Sequence, residues 1–257
     1  MHRLIISVYA LLIVSLTVQG QESVTLTGTI TDIDGNVYQM IKIGNQLWMA
    51  ENLRTTRYRN GDAIPANLTN NQWEEATSGA YAIYPHSLVE SINTDAKMVA
   101  AYGKLYNWYA VDDSRGLCPE GWRVPTDDDW TTLVNYVVAQ GYPNTNVVGG
   151  AGNALKSRRQ VENPLDRGIW ATNDHPRWNF HSTHYGQNIF GFSGLPGGHR
   201  YSSGNYYGIG VFGYWWSSTE YDTLPAWPRP LLNNFGHMHR SSYAKQSGFS
   251  VRCIRDE

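Results

Sequence analysis

Cys118 and Cys253 have the most distinctive chemistry in this chain, and they are its only two cysteines. A free thiolate can act as a nucleophile or bind a metal, whereas a bridged pair offers no thiolate. Export of the chain would bring both cysteines into an oxidising environment. The sequence therefore predicts one disulfide between them, and two buried free thiols are the alternative.

Histidines are the second group of residues with metal-binding chemistry. His237 and His239 alternate, so both would lie on the same side of a strand. Such a pair could hold zinc or copper, but it supplies only half of a tetrahedral site. His175, His181 and His184 are also close together in the sequence. Histidines in loops are more often ordinary polar surface residues, so we predict no metal ion and no cofactor.

Two acidic runs superficially resemble metal sites. The run 32–36 reads DIDGN, but it lacks the spacing and the final bidentate Glu of an EF-hand. A hairpin turn explains its composition. Three aspartates at 127–129 follow Thr126 at the start of a helical pattern, where such residues cap the first turn and oppose the helix dipole. Both runs are therefore predicted to be structural.

The first 20 residues are predicted to be a signal peptide. Arg3 precedes an uncharged apolar run, residues 4–18, and a small-residue cleavage site ends at Gly20. The run is shorter than the roughly 20 residues that span a bilayer. A retained membrane anchor is the alternative. Residues 21–257 would then form one exported domain with no membrane span, at the cell surface, in the periplasm or outside the cell.

The composition indicates a folded protein with many turns. Aromatic residues make up 13% of the chain and charged residues only 16%, which is unlike a disordered protein. The net charge of −2 gives no electrostatic basis for binding nucleic acid.

The elements that would position these residues are mostly strands and loops. Apolar residues with a helical period predict one clear helix, which begins at Thr126 and ends at Gly141. Residues 160–189 are rich in polar and aromatic loop residues. Strands are predicted within 24–49 and at 213–219, 229–232 and 249–254, and a proline-rich loop is predicted over Pro225, Pro228 and Pro230.

Seven motifs in order along the chain resemble the Fibrobacter succinogenes major paralogous domain of exported bacterial proteins. They are TDIDGNVY at 31–38, WMAENLR at 48–54, YGKLYNWYAV at 102–111, CPEGWRVPTDDDW at 118–130, GFSGLPGG at 191–198, YWWSS at 214–218 and GFSVRC at 248–253.

This resemblance implies an α+β, C-type-lectin-like fold related to the sulfatase-modifying, formylglycine-generating enzymes. Such a fold has small twisted antiparallel sheets with flanking helices and long loops. A bridge from the helix region to the last strand is common in it, which suits Cys118 and Cys253.

The function predicted from this resemblance is non-catalytic binding or adhesion, with a glycan or a surface protein as the partner. Trp178, Tyr206, Tyr207 and Trp227 are the predicted ligand-binding residues, because they lie in irregular segments outside the motifs and aromatic rings stack on sugar faces. Their alternative role is in the core. The sequence motifs of calcium-dependent lectins are absent.

Two other functions stay open at this point. An enzyme related to the sulfatase-modifying factors would need an active-site cysteine pair that binds copper, or an iron-binding histidine triad, and the sequence shows neither. A structural component of a surface assembly would have the same sequence features as a binding module.

Overall fold

The computed structural model describes residues 26–164 and 170–256, so the predicted signal peptide lies outside the described residues. Its first sheet has five antiparallel strands. In spatial order these are β1 (Leu26–Thr31), β2 (Val37–Ile43), β3 (Gln46–Met49), β12 (Ile254–Arg255) and β6 (Trp122–Arg123).

The turn between β1 and β2 confirms the predicted hairpin. The Asp32 carboxylate accepts hydrogen bonds from the backbone N–H groups of Asp34 at 3.0 Å and Asn36 at 2.9 Å. Gly35 has a φ of 83°, a left-handed conformation that costs glycine little. The acidic run at 32–36 thus serves the turn.

The second sheet also has five strands, and one of its pairs, β7 with β9, is parallel. In spatial order they are β11 (Tyr243–Ala244), β10 (Pro225–Leu232), β9 (Phe212–Glu220), β7 (Gly197–Arg200) and β8 (Tyr206–Ile209). A separate two-stranded sheet joins β4 (Tyr81–Ala82) to β5 (Leu105–Tyr106).

Strand β10 corrects the prediction of a proline-rich loop. Pro228 and Pro230 lie opposite Trp216 and Tyr214 of β9. Proline lacks a backbone N–H and is tolerated where that position needs no ladder bond. The short strand β11 pairs only with the beginning of β10, and the carbonyl of Pro230 accepts instead from the N–H of His239 at 2.9 Å. The prolines therefore fit an incompletely paired side of the strand.

The helices are few and short. They are α1 (Asn70–Glu74), α2 (Asp95–Tyr102), α3 (Trp108–Val111), α4 (Asp127–Ala139) and α5 (Ala151–Leu155). The start of α4 is as predicted: the Thr126 hydroxyl accepts from the Asp129 N–H at 3.1 Å, and the Asp129 carboxylate accepts from the Thr126 N–H at 2.7 Å. This reciprocal pair is a capping box. Helix α2 was not predicted.

The core consists mainly of two adjoining apolar clusters rich in tryptophan. Six tryptophans are fully enclosed: Trp48, Trp73, Trp130, Trp178, Trp215 and Trp216. Cys118 and Cys253 lie in one of these clusters and form a disulfide, with their Cα atoms 6.0 Å apart. The predicted bridge is confirmed.

The protein is therefore a mixed α+β fold with small, mainly antiparallel sheets, as predicted at that level. Its described residues include no helix with the length and apolarity that a membrane crossing requires.

A basic cleft as the candidate functional site

A cleft of about 1140 Å³ lies in the part of the chain that the structure describes. The end of α2 forms one wall, through Ala100, Ala101 and Tyr102. The loops between α5 and β7 and the segment that follows β3, from Ala50 to Arg54, contribute to the other walls. Its volume exceeds the roughly 300–1,000 Å³ of typical small-molecule sites. The cleft can therefore accept a ligand larger than a single sugar or amino acid.

Close backbone packing fixes the loops that form the cleft. The N–H of Ser157 donates to the carbonyl of Gly194 at 2.9 Å, and the N–H of Asn188 donates to the carbonyl of Lys156 at 3.0 Å. A Cβ added at Gly186 would lie 1.7 Å from the carbonyl oxygen of Ser157, so only glycine permits this approach. These contacts hold the two loops together along one side of the cleft.

The lining of the cleft is basic, although the chain carries a net charge of −2. Arg54, Lys97, Arg158 and Arg159 line it, and within residues 26–164 and 170–256 Glu51 is the only acidic lining residue. Glu51 pairs with Arg54 at 2.6 Å and so neutralises that guanidinium. Clefts lined by one sign of charge focus the electrostatic field. The remaining positive charge makes this cleft attractive to an anionic ligand.

Tyr102 and His175 form a hydrogen-bonded pair in the cleft wall. The Tyr102 hydroxyl and Nδ1 of His175 are 2.5 Å apart, and the Arg177 N–H donates to the same hydroxyl oxygen at 3.1 Å. Burial raises the pKa of Tyr102. Burial and the neighbouring charges of Arg177 and Arg159 lower the pKa of His175 to about 4. Both groups are neutral at pH 7.

The hydroxyl oxygen of Tyr102 has two lone pairs, so it can either donate a hydrogen bond to Nδ1 of His175 or accept one from it while accepting from Arg177. Nε2 of His175 is a donor in the first case and an acceptor in the second. In both cases the neutral imidazole can hydrogen-bond a ligand without a change of protonation.

One exposed aromatic side chain, Trp170, lines the cleft with 37% of its surface accessible. Its carbonyl accepts a hydrogen bond from the Gln160 N–H at 3.3 Å, which ties this position to the loop after α5. A partly exposed indole offers an apolar face to a ligand.

The prediction that Trp178 binds a ligand is wrong. Its side chain is 0% exposed, and its indole N–H donates to the carbonyl of Gly194 at 3.0 Å. The ammonium of Lys156 lies 5.3 Å from the ring. Trp178 belongs to the core because a fully enclosed ring presents no face to solvent.

The other predicted aromatic residues lie outside the cleft. Tyr206 and Tyr207 are adjacent on β8 and so point to opposite faces. Tyr206 packs edge-on against Tyr84 at 5.4 Å, whereas Tyr207 is 52% exposed. Trp227 is half-buried on β10, with the Arg240 guanidinium 3.5 Å from its ring centre. The structure does not bring these residues together into one site.

The predicted pair of histidines is close in space. The rings of His237 and His239 are 3.8 Å apart, in the loop after β10 and not on a strand. Burial, together with the charges of His237 and Lys156, lowers the pKa of His239 to about 4. Across the described ranges, no three His, Cys, Asp or Glu side chains are arranged to hold a metal ion.

The sequence analysis missed the residues that make the cleft. Lys97, Arg158, Arg159 and Trp170 come from distant segments, so their proximity has no local signature. The one signal in the sequence was the adjacency of Arg158 and Arg159. Two neighbouring positive charges are uncommon in a chain in which only 16% of the residues are charged.

Comparison with known proteins defines the class of this chain. The family model described as the Fibrobacter succinogenes major domain matches residues 41–255. The chain therefore belongs to the Fibrobacter succinogenes major domain family, as the motif resemblance indicated. Neither the search of curated proteins nor the search of solved structures found a match.

Proposed function

We propose that this protein is an exported, non-catalytic binding module and that the cleft is its ligand site. The observation that carries this proposal is the cleft itself, with a volume of about 1140 Å³, basic side chains and the exposed ring of Trp170. Large concave sites with a few convergent polar groups are the usual sites of ligand binding. The proposed ligand is a glycan or a surface protein.

The disulfide supports a binding role over thiol chemistry. Cys118 and Cys253 are both buried and bonded to each other, so neither supplies a thiolate. A copper site of the kind used by the sulfatase-modifying enzymes needs cysteines that are free to bind the metal.

The proposal includes a C-type-lectin-like fold. Its support is the bridge beside the paired strands β6 and β12, together with the long loop region between α5 and β7. Such a scaffold would present its loops rigidly. A ligand would then lose less free energy to the ordering of the site when it binds.

A direct test is to screen the purified protein against glycans and bacterial surface proteins, with Trp170→Ala as the site variant. Loss of the exposed indole should weaken binding of any ligand found by about tenfold or more, because aromatic anchors contribute most to binding in such sites. Trp227→Ala, which changes a half-buried tryptophan outside the cleft, is the matched control and should leave the affinity unchanged.

Two outcomes would contradict the proposal. Weaker binding in Trp227→Ala but not in Trp170→Ala would place the site on β10 instead of the cleft. Absence of binding to every glycan and protein tested would favour the alternative of a structural component in a surface assembly.

A further inference from the structure

Among the described residues, no carboxylate forms an ion pair with Arg158 or Arg159, in contrast to Arg54, which pairs with Glu51. Arg158 donates through Nε to the carbonyl of Gln187 at 2.7 Å. Arg159 donates through Nε to the carbonyl of Pro176 at 2.6 Å and through Nη2 to that of Asp174 at 3.1 Å. Carbonyl oxygens fix a guanidinium in place but carry no net charge. Both arginines therefore keep their full charge in a set position.

Lys97 adds a third positive charge from α2, on a different segment of the lining from Arg158 and Arg159. It is exposed and lines the cleft. Basic groups from different segments can contact an anionic ligand at more than one point, and charge-assisted hydrogen bonds of this kind are roughly twice as strong as neutral ones.

Three backbone N–H groups of the lining are already paired. Those of Ala50, Ser157 and Asn188 donate to backbone carbonyls at 2.8, 2.9 and 3.0 Å. A ligand at these positions would be recognised through side chains, which suits a ligand that presents many oxygens of its own.

The neutral part of the lining fits the rest of a saccharide. The Asn188 amide donates to the Ser193 hydroxyl at 2.8 Å, which leaves the proton of that hydroxyl free to bond a ligand, and the neutral His175 imidazole also lines the cleft. The exposed ring of Trp170 offers an apolar face. The polar side chains can hydrogen-bond the hydroxyl groups of a sugar, and the indole ring can stack on the C–H face of a sugar ring.

On these grounds we propose that the cleft binds an acidic saccharide, a sugar chain carrying carboxylate or sulfate groups. This inference rests on the proposed function, because it names the chemical class of the ligand for the same site. The charged groups would be held by Lys97, Arg158 and Arg159, and the ring faces by Trp170.

The test measures binding of short oligogalacturonates and heparin-derived oligosaccharides by calorimetry, each beside its carboxyl-reduced or desulfated counterpart. At least one acidic saccharide should bind, and removal of its charges should lower the affinity by about tenfold or more. Lys97→Gln and Arg158→Gln should each lower it by about fivefold. Raising the salt concentration should weaken binding, because it screens exposed charges.

Lys42→Gln and Arg255→Gln are the matched controls. Both residues are exposed on strands of the first sheet and do not line the cleft. Each variant removes one positive charge from the same protein, as the site variants do. An equal loss of affinity in the control variants would show that net charge, and not the cleft, governs binding, and would overturn the proposal.

Other outcomes separate this inference from the proposed function. Equal binding of charged and neutral saccharides, still sensitive to Trp170→Ala, would overturn the acidic ligand and leave the cleft as a binding site. Tighter binding of a polyglutamate peptide than of any acidic saccharide would assign the site to an acidic peptide. No binding of any saccharide or peptide would overturn the acidic-saccharide inference, and the proposed function would then depend on the screen against surface proteins.

Discussion

Asp127 and Asp128 are neighbours at the start of α4 with different surroundings. The Asp127 carboxylate is buried and bonds the guanidinium of Arg229 at 2.8 Å and that of Arg240 at 2.8 Å. The side chain of Arg229 is only 5% exposed. Asp128 is exposed. Asp127 therefore joins the helix to β10, whereas Asp128 interacts mainly with the helix dipole.

We predict that Asp127→Asn destabilises the protein far more than Asp128→Asn. Removal of the buried carboxylate leaves Arg229 without its counter-ion, which costs about 3–5 kcal/mol. Loss of the exposed charge near the helix N-terminus costs about 0.3–1 kcal/mol. Urea unfolding of both variants measures the difference. Equal losses would show that the ion pair with Arg229 contributes little.

His199 is a buried histidine with aromatic neighbours. Tyr214 lies 5.1 Å away and Phe249 6.0 Å away between ring centres. Burial lowers the pKa of His199 from 6.5 to about 4. Between about pH 6.5 and pH 4, His199 is protonated in the unfolded chain but not in the folded protein.

We therefore predict that the free energy of unfolding falls as the pH is lowered from about 6.5 to about 4, because the state that binds more protons is favoured by acid. His175 and His239 contribute in the same direction, since the pKa of each is also lowered to about 4. His199→Gln should make the fall smaller. Thermal unfolding at a series of pH values measures it, and an unchanged slope in the variant would contradict the prediction.

At the scale of elements, the features that depend on residues close together in the sequence were predicted correctly. The capping residues Thr126 and Asp129 marked the start of α4, and the run 32–36 marked the hairpin turn. The first part of strand β10 was predicted to be a loop because prolines are normally excluded from paired strands. Its prolines are tolerated because β11 is short and pairs only with the beginning of β10. Helix α2 was missed because its eight residues have a weak apolar stripe.

The candidate site could not be predicted in the same way. Its lining residues extend from Leu26 through Lys97 and Arg158 to Leu195, on segments that only the folded chain brings together. The exposure of an aromatic residue is likewise a property of the fold. The sequence pointed to Trp178, which is enclosed, and not to Trp170, which faces the cleft.

At the scale of the whole molecule, the disulfide ties two parts of the chain separated by 135 residues. We predict that Cys253→Ser lowers the free energy of unfolding by about 2–5 kcal/mol, because the bridge restricts the unfolded chain. Denaturant unfolding measures the loss. A reductant should destabilise the native protein by a similar amount and leave the variant with both Cys118→Ser and Cys253→Ser unchanged. Two free thiols in the denatured, unreduced protein would contradict the bridge.

The position of β12 has a consequence for how the protein folds. It lies between β3 and β6, and Ile254 pairs with Trp48 on one side and Arg123 on the other. The hairpin of β1 and β2, with β3, can form early, but β6 has no neighbour until residues more than a hundred positions later arrive. Pairings between such distant segments slow folding. Completion of the first sheet should therefore be a late event, after the helices and local hairpins have formed.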